Sequence, residues 1–327
     1  LKSLQAVLND MKAPFSKGDR IGIKLHWGEL GNQSFLPPVY AREIARWLMD
    51  QGMNPFIFDT TVLYSGGRRN GSDSLDTAEK HGFTPEYLGC EVVIADGLDG
   101  RDVLDIPCSY KHFKSIQVAS VFDKAEGFVI FSHFKAHLAA GFGGSIKNLS
   151  MGFASRAQKQ RMHADARPVL SRRKCTRCGV CVSICPSGAA SLGDGAEDLP
   201  VYDMEKCIGC AQCIGLCPEV ALRISFNSDM EVFQEKLVET ASEVWKKIEG
   251  KTLLINALIR IASECDCLPG KPEYISRDIG MIGGYDPVSI DWESVGYLGE
   301  DIIDKTHPGI PWKRQFAYAR EIGFGAP

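Results

Sequence analysis

No stretch of the 327 residues stays apolar long enough to cross a bilayer, and the N-terminal LKSLQAVLNDMKAPFSKGDR lacks the apolar core of a signal peptide. These absences point to a soluble, cytoplasmic protein with no membrane span. A large excess of one charge is also lacking: the formal net charge of -4 leaves no footprint of a nucleic-acid partner or an anionic membrane surface. Neither the dinucleotide fingerprint nor the P-loop spacing occurs, and no nicotinamide or flavin motif is visible. A chain this long buries roughly three quarters of its unfolded surface, so it has no need of disulfide staples. Cysteine is nevertheless abundant, at twelve residues, and in a reducing compartment thiols are kept for metals or chemistry.

Short apolar runs alternate with amphipathic segments over the first 150 residues, the pattern of strands and helices taking turns in a parallel sheet. The spacing predicts strands at 20–25 (RIGIKL), 55–58 (PFIF), 91–95 (EVVIA) and 127–131 (GFVIF). A helix is expected in PPVYAREIARWLMDQG, where Tyr40, Ile44, Trp47 and Leu48 recur at helical spacing. Beyond the densest cysteines, Met230, Phe233, Leu237, Ala241, Val244 and Ile248 mark another helix, followed by a strand in TLLINALIRIA and a turn and helix after DIGMIGG. The predicted strands are followed by His26, Asp59, Asp96, Ser132 and His133. Ligands of open α/β sheets bind at the carboxyl ends of strands, so these residues together suggest one shared cleft, although any one of them alone reads more readily as a turn or cap residue.

Eight cysteines fall between 175 and 217 in two copies of C-x2-C-x2-C-x3-C-P. Three closely spaced thiolates cover one corner of an iron–sulfur cube, and in paired runs the fourth ligates the other cluster. That assigns Cys175, Cys178, Cys181 and Cys217 to one [4Fe-4S] cluster, and Cys207, Cys210, Cys213 and Cys185 to the second. Zinc knuckles lack the third and fourth cysteine of each copy. The stretch 171–225 resembles a bacterial-type two-cluster ferredoxin, which implies low-potential one-electron transfer and a redox partner protein. Just upstream, the basic run 156–174, with Asp165 its lone acid, reads either as a solvated linker or as a dock for an anionic group.

Residues 128–152, FVIFSHFKAHLAAGFGGSIKNLSMG, end a strand, set His133, Lys135 and His137 at alternate positions, and turn through Gly141, Gly143 and Gly144 into a helix carrying Lys147. Glycines before a helix let backbone amides close on an anion, and Lys147 adds a charge or a nucleophilic amine; a plain tight connection is the simpler reading. Taken in order, KLHWGELGN, FIFDTTVLYSGGR, SHFKAHLAAGFGGSIKNLSMG, the ferredoxin-like insert, ECDC at 264–267 and DIGMIGGYDPVSID resemble the DUF362 family of iron–sulfur proteins. The glycine loop also resembles the nickel-pincer lactate racemase family, which implies a metal-site His at His137 and a cofactor-linked Lys at Lys147; Ile146 stands where that family has an Arg.

The expected architecture is an α/β host with a mostly parallel sheet, residues 1–170 and 226–327, into which an α+β ferredoxin module at 171–225 is inserted. The expected function is an anaerobic iron–sulfur oxidoreductase. Electrons from a partner would pass through two clusters to a small anionic substrate or a further metal or organic cofactor. His26, His133, His137 and Lys147 would be catalytic, with Lys135 and the three glycines holding the ligand. Cys265 and Cys267, too close for an unstrained disulfide, read as metal ligands, redox thiols or buried small hydrophobes. His163 is a candidate for the same cleft, while Cys90 and Cys108 read as core thiols. The alternatives are a non-catalytic electron carrier or maturation factor, and racemase-like chemistry at Lys147.

Overall fold

Each predicted strand forms, four of them within two residues of their expected bounds and the one predicted in TLLINALIRIA ending four residues early, at Leu258. In a computed structural model of the chain they are β1 (Arg20–Lys24), β2 (Asn54–Asp59), β3 (Glu91–Ile94), β4 (Gly127–His133) and β5 (Thr252–Leu258), with a sixth, β6 (Gly280–Gly284). The structure describes residues 2–325 except 64–65, 164–167, 186, 194–197, 208–212, 214–216, 220 and 225–229, and only the backbone of 223–224. Cys210, Asp165, Arg167 and Pro186 therefore lie outside the described residues.

One sheet carries all six strands in the order β6-β5-β4-β1-β2-β3, parallel throughout except for the β5/β6 pair. The strands are apolar on both faces because both are covered. Phe128 and Ile130 of β4 join one core with Phe56, Phe58 and Leu254, while Val129 and Phe131 join the opposite core with Ile57 and Leu253. Helix α1 (Pro38–Asp50) covers the second core with Ile44, Ala45 and Leu48. Helices α2 (Ser145–Phe153), α4 (Met230–Ile248) and α5 (Pro287–Leu298) cover the first. Among the described residues no helix is long and apolar enough to cross a membrane.

The basic run 156–174 is solvated only in its second half, where Arg172, Arg173 and Lys174 are exposed. Its first half is helix α3 (Arg156–His163), with Arg156 and Lys159 buried against the host. A stem for the cysteine segment forms where Pro168–Leu170 pairs antiparallel with Leu222–Ile224. Within the segment, Ala190–Leu192 pairs with Pro200–Tyr202. Cys90 and Cys108 are half-buried against the two host cores.

Candidate active site

Parallel strands send their carboxyl ends to one edge, and there β1, β2, β4 and the loop after β5 enclose a cleft of about 540 Å³. Lys24, the last residue of β1, is fully buried beneath it. Its Nζ lies 2.9 Å from Asp59 Oδ1 and donates to the Leu25 carbonyl and to Asn148 Oδ1, each at 3.0 Å. Arg68 meets Asp59 Oδ2 from the other side at 2.5 Å. Burial alone would raise the Asp59 carboxyl, but the two cations hold it well below the usual carboxylate range.

Arg68 also places a guanidinium N–H 2.8 Å from His26 Nε2, while the Gly28 amide donates to Nδ1 at 2.8 Å. Burial, helped by Arg68, lowers His26 to about 3, so at neutral pH the ring is an uncharged acceptor rather than an acid. His133 is occupied on both nitrogens, by Asp266 Oδ2 at 2.8 Å and the Ile259 carbonyl at 3.0 Å. Lys135 reaches the same Asp266 oxygen at 2.8 Å, and Ser34 donates to its other oxygen at 2.9 Å. Burial opposes ionisation of Asp266, yet His133 and Lys135 keep it well below its ordinary value. The alternate spacing of 133, 135 and 137 thus serves one purpose. Two side chains clamp the ECDC loop, and the third, His137, faces its sulfurs.

His137 Nδ1 accepts the amides of Ala139 and Ala140 at 3.1 and 3.0 Å, and burial lowers the ring to about 4. The Cys267 thiol donates to Cys265 and holds it well below the ordinary thiol range against burial, with Lys147 and His137 assisting; Cys267 is raised correspondingly. His163 stacks on Phe233 at 4.9 Å and is lowered to about 3, first by burial. Lys159 donates to Thr60 Oγ1 at 2.7 Å and to the Thr61 carbonyl at 2.5 Å, and burial pulls it down to about 8 against the attraction of Asp96.

The glycine turn contains an anion, but one from the chain itself. Asp291 of α5 accepts the Ser145 and Ile146 amides at the start of α2 at 2.7 and 2.8 Å, and the Asn256 amide at 2.7 Å. A Cβ on Gly144 would collide with that carboxylate, and one on Gly141, at φ +77°, with Trp312. The expected backbone cradle is therefore filled, leaving Lys147 as the loop's free cation: its ammonium makes no hydrogen bond or ion pair among the described residues. Gly143 and Gly144 still line the cleft, whereas Gly141 is packed beneath Trp312.

Burial pushes Asp291 up to about 6. Its folded value exceeds its free one, so protonation favours the fold as pH falls from about 6 toward 4. Asp291→Ala leaves three buried donors without an acceptor and is expected to cost about 2–4 kcal/mol at pH 7, read from thermal unfolding.

Four cysteines predicted to share a cluster, Cys175, Cys178, Cys181 and Cys217, line one pocket of the cysteine segment. The Ala221 amide donates to Cys217 Sγ at 3.3 Å. The cysteine segment meets the edge of the cleft there. Leu63, from the loop after β2, packs on Cys181 and Cys217 and also lines the cleft, and Arg69 donates to the Cys217 carbonyl at 3.1 Å.

The family model described as "Domain of unknown function (DUF362)" matches residues 21–295. The chain belongs to the DUF362 family. No curated protein matches it. Among solved structures, this DUF362 chain is similar to the lactate racemase apoprotein from Thermoanaerobacterium thermosaccharolyticum, at 10% identity and a TM-score of 0.47, over 90% of this chain and 54% of that one. A Thermotoga maritima protein gives 10% identity and a TM-score of 0.47 over 93% of this chain and 57% of its own. The DUF362 chain thus spans a little over half the length of each.

Lys24, Arg68, Lys159, Asp266 and Asp291 were not singled out by sequence. Asp266 had a visible signal, lying between two candidate cysteines; the others become site residues only through long-range packing.

Proposed function

We propose that this chain is an iron–sulfur oxidoreductase that delivers electrons to a small anionic substrate in the α/β cleft. The reading is carried by the shared pocket of Cys175, Cys178, Cys181 and Cys217, the set in which the fourth ligand comes from the other cysteine run. Sulfurs around one zinc ion stand about 3.8 Å apart, given a Zn–S bond of about 2.3 Å. Among the described residues no three of these cysteines bring their sulfurs within 4.8 Å of one another, a spread that suits a cluster better than a single ion. Cys207, Cys213 and Cys185, with Cys210, would hold the second cluster. When bound, the two clusters supply low-potential one-electron transfer.

The chain's own residues do the rest. Leu63 and Arg69 keep the first cysteine pocket against the cleft, so that electrons have a short path through packed atoms. Lys147 attracts the anionic group. Lys159, at about 8, is the buried cleft cation whose proton is exchangeable near neutrality. His26 and His137 are uncharged there and act as hydrogen-bonding groups.

Anaerobic purification with iron and sulfide analysis is expected to give about eight irons per chain; near-zero iron with zinc in its place overturns the reading. Dithionite-reduced protein should be reoxidised by a panel of small anionic acceptors. Lys147→Ala and His137→Ala should slow that step about 100-fold with iron unchanged. Equal rates in the variants would make the protein a carrier.

A further inference from the structure

The ECDC loop is built to present two sulfurs. Asp266, fully buried between the cysteines, is held by His133, Lys135 and Ser34, and its carbonyl accepts the Glu29 amide at 2.8 Å. The residues on either side project into the cleft. The Cys267 amide donates to Cys265 Sγ at 3.3 Å, which orients that sulfur. Opposite, two amides fix His137 through Nδ1, leaving Nε2 for the sulfurs.

The ligand atoms of His137, Cys265 and Cys267 all lie within 4.8 Å of one another. Tetrahedral zinc sites place their donors about 3.3–3.8 Å apart, given bonds of about 2.0–2.3 Å, so a small contraction closes the set on an ion. Two sulfurs and an imidazole select soft or borderline metals over magnesium or calcium. Asp266 supports the set without belonging to it, by anchoring the backbone between the two cysteines. Nδ1 already receives two amides, so an ion at Nε2 displaces the ring's single proton to solvent and His137 binds as an imidazolate. The ligand set is then electron-rich, and the ammonium of Lys147 in the same cleft offsets its charge.

We infer that His137, Cys265 and Cys267 form a three-ligand site for a thiophilic ion of the zinc(II) class, open at its fourth position to the cleft. Three protein ligands and an open position are the pattern of catalytic rather than structural zinc. An anionic substrate group would then be shared between the ion and Lys147. The inference deepens the proposed cleft and does not depend on the clusters.

The test uses anaerobic, cluster-loaded protein given one equivalent of zinc(II) chloride, desalted and analysed for zinc and iron together. Wild type is expected to retain about one zinc per chain with iron unchanged. Cys265→Ala and Cys267→Ala should weaken zinc binding at least about 100-fold, beyond what loss of an outer-shell partner costs, whereas Cys90→Ala, outside both sites, should leave it intact. Failure of wild type to retain zinc, or equal retention by Cys267→Ala, overturns the site. A second measurement needs no variant: zinc should slow alkylation of Cys267 by iodoacetamide, followed by peptide mass, and an unchanged rate overturns the site. Iron content reports on the clusters separately, so the two readings fail independently.

Discussion

Asp59→Ala is expected to lower stability by about 3–5 kcal/mol, among the largest effects of any single substitution in the host domain. The carboxylate is 2% exposed and sits between Lys24, 1% exposed, and Arg68, 2% exposed. Removing it leaves two buried cations facing each other with no counter-ion, which costs more than the pairing contributes. For a chain of this length that corresponds to a fall in Tm of roughly 4–7 °C. Adding Lys24→Met to Asp59→Ala should restore part of the loss, because one stranded charge disappears. A double variant no better than Asp59→Ala would attribute the effect to packing instead. The pH dependence carries the same signature. Asp59 is ionised more readily in the fold than when free, so its stabilisation is present in full above about pH 4 and fades as pH falls toward its folded value. Wild type and Asp59→Ala should therefore converge in Tm under strongly acidic conditions.

This network also shows where sequence reading stops. The sheet was legible because its strands are buried on both faces, which forces apolar runs such as GFVIF and TLLINAL. Helices α1 and α4 were legible because each buries one stripe. By contrast, the antiparallel pair Val103–Pro107 and Ser115–Ala119 was not anticipated. Only the second strand, SIQVA, alternates clearly between polar and apolar residues; the first, VLDIP, does not, and no hairpin turn signal joins them. The cleft was legible in part. Residues following strand ends pointed to it, but Lys24 lies inside a strand, and Arg68 reaches His26 from 42 positions away. The glycine turn misled because a glycine-flanked helix start looks the same whether its anion is a ligand or a carboxylate such as Asp291, 146 residues distant.

Cysteine spacing carries the most specific expectation, since coordination would fix local chain geometry more tightly than packing does. It makes a sharp prediction about pairs. Each of Cys175→Ala, Cys185→Ala and Cys217→Ala should lose one cluster, taking iron from about eight to about four per chain. The double variants decide the connectivity. If Cys217 shares a cluster with Cys175, as their common pocket suggests, Cys175→Ala with Cys217→Ala should still retain about four irons, because both changes strike one cluster. Cys175→Ala with Cys185→Ala should retain almost none, although those two cysteines lie in the same run. If each run instead held its own cube, the two outcomes would be exchanged. The described contacts favour the crossed arrangement. Cys217 approaches the first run through Ala221 and Leu222, whose neighbour in space is Leu170, while Cys185 turns toward Ser187, 3.7 Å away, and does not line that pocket. In the crossed arrangement each cube ties the two runs together, so loss of either cluster should also loosen the stem at Pro168–Leu170 and expose it to proteolysis. Faster cleavage near that stem in Cys217→Ala than in wild type, measured on protein of known iron content, is the expected result.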